Sequence, residues 1–466
     1  MDIEFVNHSS FIVRTKDVRL VCDPWCEGTA FNGSWALLSP TAFPYERFSE
    51  ITHIWFSHEH PDHFSPPTLK KIPPELRANI VVLYQETADR KVAEFCKKLG
   101  FKEVRELSAD VWHRLGPDTE VMCSPFSAGD SWMCLRAEGR TVLNVNDCFV
   151  YTHEEAQGIR DKIGGGPVDI LATQFSLSAW EGNRDEVERR RRGAEMMIRR
   201  MLVHCHVFEP KYVIPFASFV WFCHKENFHI NAEHNRIDDV ARIIREQTTG
   251  TPLVMYPGDT WQYGAEPASE RAIQRYLRDV EGLPERELTK TKSYDLDELA
   301  AAGEKFAAKL AEHSTPLRLR LHLCMQNFRR ERSRGSASWF RLLTILLGVR
   351  VRPARIYLED LGTSVTFDAL EGLRSAELSR AECDIALSSD SLMYGFQHLF
   401  GGEALQVNGR FEEMYPEGRL VLFDYFYTAI NQNQGKPMTW GNLLGGISGR
   451  LRAQAFGWTK RGAPLF

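Results

Sequence analysis

Residues 51–69 read ITHIWFSHEHPDHFSPPTL, and this stretch constrains the chain more than any other. Ile54, Trp55 and Phe56 form an apolar, β-prone run, which predicts a buried strand ending near Ser57. Ser65 followed by Pro66 has the form of a helix N-cap with proline at the first helical position. Between them stand His58, Glu59, His60, Pro61, Asp62 and His63, so three imidazoles and the Asp62 carboxylate share one strand-to-helix loop. Rigid scaffolds commonly carry functional groups on such loops. In extended chain His58 and His60 point to the same side, and neutral imidazole is a good ligand for zinc, iron or cobalt. A bend at Pro61 and Asp62 turns Asp62 and His63 toward a second ion. Two ions about 3.5–4 Å apart form a common catalytic arrangement. The competing reading, a polar surface loop, is weaker because both the residue types and the strand–loop–helix setting suit a metal site.

The pattern H-x-H-x-D-H resembles the signature of the metallo-β-lactamase superfamily. That resemblance implies an α/β fold, an αββα sandwich, with His58 and His60 at one metal and Asp62 and His63 at a second. It names a superfamily of many chemistries and does not choose among them. Upstream, Phe11 to Val13 and Leu20 to Cys22 read as a β-hairpin ending at Asp23 and Pro24. The resemblance makes Asp23 a support for the site. His8, a lone histidine, reads as a packing or hydrogen-bonding residue. Thr141 to Val145 reads as a strand leading into Asn146, Asp147 and Cys148. The superfamily places a metal-bridging carboxylate straight after such a strand, which assigns that role to Asp147. Asp62 and Asp147 are the catalytic candidates.

Strand-like and helix-like runs alternate through residue 261, with further strands expected at Ile80 to Leu83, Glu120 to Cys123, Trp132 to Ala137, 168–176, Tyr212 to Pro215 and Leu253 to Tyr256. Asn183 to Cys205 reads as a helix carrying the run Arg189 to Arg192. Charge runs are usually solvated helical faces; the sharper reading is an electropositive lip for an anionic substrate, with Arg189, Arg190 and Asn227 as contacts. The expected division is a catalytic domain over 1–265, a charged helical connector over 266–316, and an α+β domain with a tail over 317–466. Within the last, strands are expected at Val349 to Val351, Ile356 to Leu358, Val365 to Phe367, Ile385 to Leu387 and Leu420 to Phe423. Its stretch SDSLMYGFQHLFGGEALQVNGRFE loosely resembles a sterol-carrier-protein-like module.

With 466 residues, two or three domains are expected, and a formal net charge of −5 argues against bulk binding to nucleic acid or anionic membrane. The longest apolar run, Leu342 to Val349, is far short of the roughly 20 residues a membrane span needs. The N-terminus MDIEFVNHSS lacks the pattern of a signal peptide, and the ten cysteines form no C-x-x-C pair. These features predict a cytoplasmic protein with reduced thiols.

Four segments together, 57–69, 129–148, 215–227 and 390–411, are similar in order and spacing to the catalytic part of CMP-N-acetylneuraminate hydroxylase. The resemblance implies metal-binding roles for His58, His60, Asp62, His63, Asp147 and His224, with His229 a competitor for the place of His224. Two departures stand out. Where the family has a histidine before the 132–137 strand, this chain has Phe126, and the nearest carboxylate is Asp130. Asp130 either replaces the histidine as a ligand or shapes the turn in Ala-Gly-Asp-Ser. As a ligand it makes the site harder, favouring iron or manganese over zinc. The family also carries a Rieske iron–sulfur domain, which needs two cysteine and two histidine ligands; no such pairs precede this domain here. A separate electron-donor protein is then expected. The leading expectation is an oxygen-dependent hydroxylase, a monooxygenase with two divalent ions, iron favoured, acting on a small polar or anionic metabolite. The alternatives are a zinc hydrolase of an ester, amide or phosphodiester, and a non-catalytic binding protein.

Overall fold

The computed structural model of the chain describes residues 1–126, 129–312, 319 and 353–433. The expected strand at Val349 to Val351, the apolar run Leu342 to Val349 and the tail from Gly435 lie outside the described residues. Two compact units emerge, one comprising Met1–Thr291 with Gln406–Gly409, the other beginning at Lys292 and resuming at Arg410. Among the described residues no helix is long and apolar enough to cross a membrane.

The first unit is built on two seven-stranded mixed sheets. In chain order the strands are β1 (Asp2–Asn7), β2 (Ser10–Arg14), β3 (Arg19–Cys22), β4 (His53–Phe56), β5 (Val81–Gln85), β6 (Glu103–Leu107), β7 (Trp112–Arg114), β8 (Thr119–Pro125), β9 (Ser131–Ala137), β10 (Arg140–Asn146), β11 (Ile170–Gln174), β12 (Tyr212–Phe216), β13 (Thr251–Pro252) and β14 (Thr260–Gln262). One sheet runs β14-β1-β2-β3-β4-β5-β6 and the other β13-β12-β11-β10-β9-β8-β7. Each joins an antiparallel portion to a parallel one, the change falling at β3 in the first sheet and at β10 in the second.

The apolar run at β4 is continuous because both faces of its sheet are covered. Trp55 packs between the sheets with Phe5, Phe11, Leu83, Met133 and Leu143. Its neighbours Ile54 and Phe56 point the other way, against Leu69, Ile72, Val92 and Cys96 on covering helices. The outer face of the second sheet is covered by helices Val187–Phe208 and Ile237–Gln247, whose Met201, Cys205, Val240 and Ile244 join the same core as Trp55. This is the αββα layering expected of a metallo-β-lactamase-like sandwich. The loop after β4 ends as its sequence requires: Ser65 caps helix Pro66–Lys71 through the Thr68 N–H, with proline in the first turn.

Two strand expectations differ from the structure. Residues 253–256 are buried, but the ladder stops at Pro252. The Leu253 N–H still reaches Val213 O, yet the Tyr256 N–H turns to the Asp259 side chain at the Pro257–Gly258 bend. In the second unit, Leu420 to Phe423 opens helix Leu420–Asn433. A four-residue apolar run fits a buried helix as well as a strand. That unit is α+β, with a five-stranded sheet. Its strands, in chain order, are β15 (Ala354–Leu358), β16 (Thr363–Asp368), β17 (Gly372–Ala376), β18 (Ile385–Leu387) and β19 (Phe411–Glu413), ordered β17-β16-β15-β18-β19. Phe306, Phe367, Phe396 and Phe426 form its aromatic core.

Candidate metal centre

The loop after β4 is shaped by backbone hydrogen bonds. The N–H groups of His63 and Phe64 both donate to His60 O, at 3.0 and 2.7 Å, which curls the chain so that Asp62 and His63 face inward. Asp23, at the end of β3 with φ of 40°, anchors the start of the loop. Its carboxylate accepts from the Ser57 N–H at 2.8 Å and the Ser57 hydroxyl at 2.7 Å.

Around His63 four donors converge. His63 Nε2 lies 3.2 Å from Asp62 Oδ2 and 3.3 Å from Asp147 Oδ2, and His8 Nε2 lies 3.3 Å from Asp62 Oδ2. His63 Nδ1 is 3.0 Å from Asp23 Oδ2, so its proton sits on Nδ1 and Nε2 is left as a donor to an ion. A carboxylate behind a ligating imidazole fixes the ring's tautomer and orientation in just this way. Beside this group, His58 Nε2 stands 2.8 Å from His60 Nδ1 and 3.7 Å from Asp130 Oδ1. Among the described residues there are thus two candidate ligand groups, His8 with Asp62 and His63, and His58 with His63 and Asp147.

Electrostatics marks the same place. Burial, together with the neighbouring His63 and His60 rings, pushes the His58 pKa well below its ordinary value. Burial opposes ionisation of Asp62, but His63 and His8 outweigh it and hold the carboxyl well below the usual range. Burial likewise opposes protonation of His63, and Asp62 and Asp147 reverse the balance, raising its pKa well above normal. The buried Oδ1 atoms of Asp62 and Asp147 and the buried Nε2 of His63 make no hydrogen bond. Buried polar atoms seldom stay unpaired. Carboxylate oxygens and imidazole nitrogens facing one another make the donor set of a cation, so these residues fit a pair of divalent ions.

The N-terminal histidine is the residue that sequence reasoning missed. His8 is 1% exposed, with φ of 37°, in the tight connection between β1 and β2. The usable signal was a polar NHSS stretch buried between two apolar strands. His224 belongs to neither ligand group. It is fully buried, its backbone N–H donating to Asn227 Oδ1 and its Nδ1 accepting from the Glu226 N–H at 3.2 Å. His229 also lies outside both groups.

The three residues expected as substrate contacts differ in their surroundings. Arg190 is 2% exposed and pairs with Glu233 at 2.7 Å, with further bonds to the carbonyls of Asn183 and Arg184. Arg189 lies over the Trp180 ring and pairs with Glu186. Asn227 is fully buried, its amide donating to Ser34 O and Asn408 O. Arg190 and Asn227 are thus enclosed by partners from this chain.

Residues 2–128 match the family model described as a beta-lactamase superfamily domain. The chain is similar to the cytidine monophosphate-N-acetylneuraminic acid hydroxylase of Mus musculus, 23% identical over 274 residues, covering 54% of this chain and 46% of that one. It is similar to the Homo sapiens protein described as an inactive form of that hydroxylase, 23% identical over 280 residues, covering 57% and 54%. A putative Rieske 2Fe-2S iron-sulfur protein of Mycolicibacterium smegmatis is 24% identical over 189 residues, covering 39% and 35%. The chain thus spans about half or less of the length of the curated relatives it matches. Among solved structures, the diiron β-hydroxylase CmlA from Streptomyces venezuelae aligns at 18% identity and TM-score 0.41, covering 56% and 54%. An isothiocyanate hydrolase from Delia radicum gut bacteria aligns at 11% and TM-score 0.38, covering 57% and 100%. The chain has a metallo-β-lactamase superfamily fold with distant sequence similarity to the sialic acid hydroxylases.

Proposed function

We propose that this protein is a metal-dependent oxygenase in which a non-haem di-iron centre, using molecular oxygen and reducing electrons, hydroxylates a small polar or anionic metabolite. In this reading His58, His60 and Asp130 hold the first ion, His8, Asp62 and His63 the second, and Asp147 lies between them. The observation that carries the reading is Asp130. Its Oδ1 is 3.7 Å from His58 Nε2, a spacing open to two ligands of one ion, and it is the carboxylate nearest in sequence to Phe126, which occupies the place of the family's histidine. Two imidazoles and a carboxylate with open positions is a ligand set of iron oxygenases. The distant similarity to hydroxylases supports the same reading. When bound, an iron pair supplies the electron storage and oxygen activation that no side chain provides. The chain's own part is to orient the donors and hold the proton of His63 at Nδ1 through Asp23.

One observation favours the zinc hydrolase. His8 adds an imidazole beside Asp62, so four histidines line the candidate centre, a nitrogen-rich set that also suits zinc. Asp130→His separates the two readings. In an iron oxygenase it shifts metal preference toward zinc and abolishes oxygen-dependent turnover. Unchanged metal content and activity in this variant contradict the assignment of Asp130.

A further inference from the structure

The donors of the candidate centre are divided between the two sheets. His58, His60, Asp62 and His63 follow β4 of the first sheet, whereas Asp130 and Asp147 flank β9 and β10 of the second. Whatever fixes the spacing of the sheets at this point fixes the ligand geometry. Two sets of hydrogen bonds, both reaching Ser57, do so.

The first set runs through Gln85, at the end of β5. Its Nε2 donates to Ser57 O at 3.2 Å and to Gly129 O at 2.5 Å, and the Ser131 hydroxyl donates to the same Ser57 O at 2.6 Å. Ser57 immediately precedes His58, and Gly129 and Ser131 flank Asp130. The second set runs through Asp23, at the end of β3. Asn146 Nδ2, at the end of β10, donates to Asp23 Oδ2 at 2.7 Å, the oxygen that also faces His63 Nδ1. Gln85, Ser131, Asn146 and Asp23 are all buried, at 3%, 0%, 0% and 0% exposure. A buried amide ending the otherwise apolar strand VVLYQ is costly unless its hydrogen bonds do something an apolar residue would not.

We infer that these are two clamps that meet at Ser57, whose N–H and hydroxyl donate to Asp23, and that differ in the ion each governs most: Gln85 and Ser131 position Asp130 against His58, and Asn146 acting through Asp23 positions His63. The inference rests on the dinuclear reading above and adds to it which residues govern each ion most. All four are positioning residues.

The test is titration of the full, metal-stripped chain with cobalt(II), following the visible absorption of each bound ion, with thermal unfolding by circular dichroism alongside. Gln85→Leu is expected to weaken one cobalt ion by about 10- to 100-fold and to change that ion's spectrum, with a clearly smaller effect on the other. Asn146→Ala is expected to do the same to the other ion. Ser131→Thr keeps the hydroxyl and is expected to bind both ions as wild type does. If Gln85→Leu does not fold, Ser131→Ala reads the same clamp by removing one oxygen. A merely structural role lowers the melting temperature and leaves both affinities and spectra unchanged, which overturns the inference, as does equal weakening of both ions by either variant. Wild-type protein that takes up fewer than two cobalt ions overturns the dinuclear reading itself, and the inference with it.

Discussion

Arg190 sits in a run of four arginines, yet its guanidinium is sealed between Glu233 and two backbone carbonyls. Truncating one partner of a buried ion pair leaves the other charge uncompensated, at a cost of about 3–5 kcal/mol. Arg190→Met is therefore expected to lower unfolding stability by that order in urea titration. Arg192→Ala, at a side chain 75% exposed, is expected to change it by less than about 0.5 kcal/mol. Equal effects would contradict the structural assignment of Arg190. The two arginines are indistinguishable by charge pattern, since what separates them is the position of Glu233, 43 residues away in the chain. The H-x-H-x-D-H loop was legible for the opposite reason. Its donors are close in sequence, and the strand before and helix after it set their directions locally. His8 reaches the candidate centre only through tertiary packing, so as a lone histidine it looked ordinary, and Asp130 stood out only through the family resemblance.

Helix Val187–Phe208 carries a titratable group whose effect belongs to the helix and its sheet together. His204 is fully buried, with Nδ1 2.8 Å from Thr173 Oγ1 on β11 and Nε2 2.9 Å from Val150 O. A neutral ring satisfies both contacts, Nε2–H donating to the carbonyl and Nδ1 accepting from the hydroxyl. Burial, assisted by the charge on Arg200, lowers its pKa to about 3 from the ordinary 6.5. The unfolded chain takes up the proton near pH 6.5 and the folded chain only near pH 3. Stability attributable to His204 is thus intact above pH 6.5 and falls as the pH drops below it, by roughly 3 kcal/mol at pH 4.5. His204→Gln is expected to remove that part of the acid dependence. Urea midpoints of both proteins at pH 7.5 and 4.5, with chelator present, measure the difference; parallel losses would contradict the account. At this scale the sequence was informative where an element is long or bounded by turn chemistry, as for this helix and β4. It failed at Leu420 to Phe423, where four apolar residues carry too little periodicity to separate strand from helix.

Over the whole first unit, three carboxylates, Asp62, Asp130 and Asp147, lie beside the buried histidines His58 and His63. Ions bound only by the folded chain stabilise it by mass action, by about 3–4 kcal/mol at a free concentration 100- to 1,000-fold above Kd. Chelation is accordingly expected to lower the melting temperature, and an unchanged melting temperature would speak against metals joining the sheets. The alternation of strands and helices made the layered architecture readable from sequence. The substrate was not, because the residues that contact it depend on which surfaces the fold leaves open. The most direct test of the central claim is elemental analysis of the purified wild-type protein beside Asp130→Ala. The account predicts about two ions per chain, mainly iron, falling to about one in the variant with the fold retained. Two zinc ions in both proteins, or less than one tightly held ion in the wild type, would contradict it.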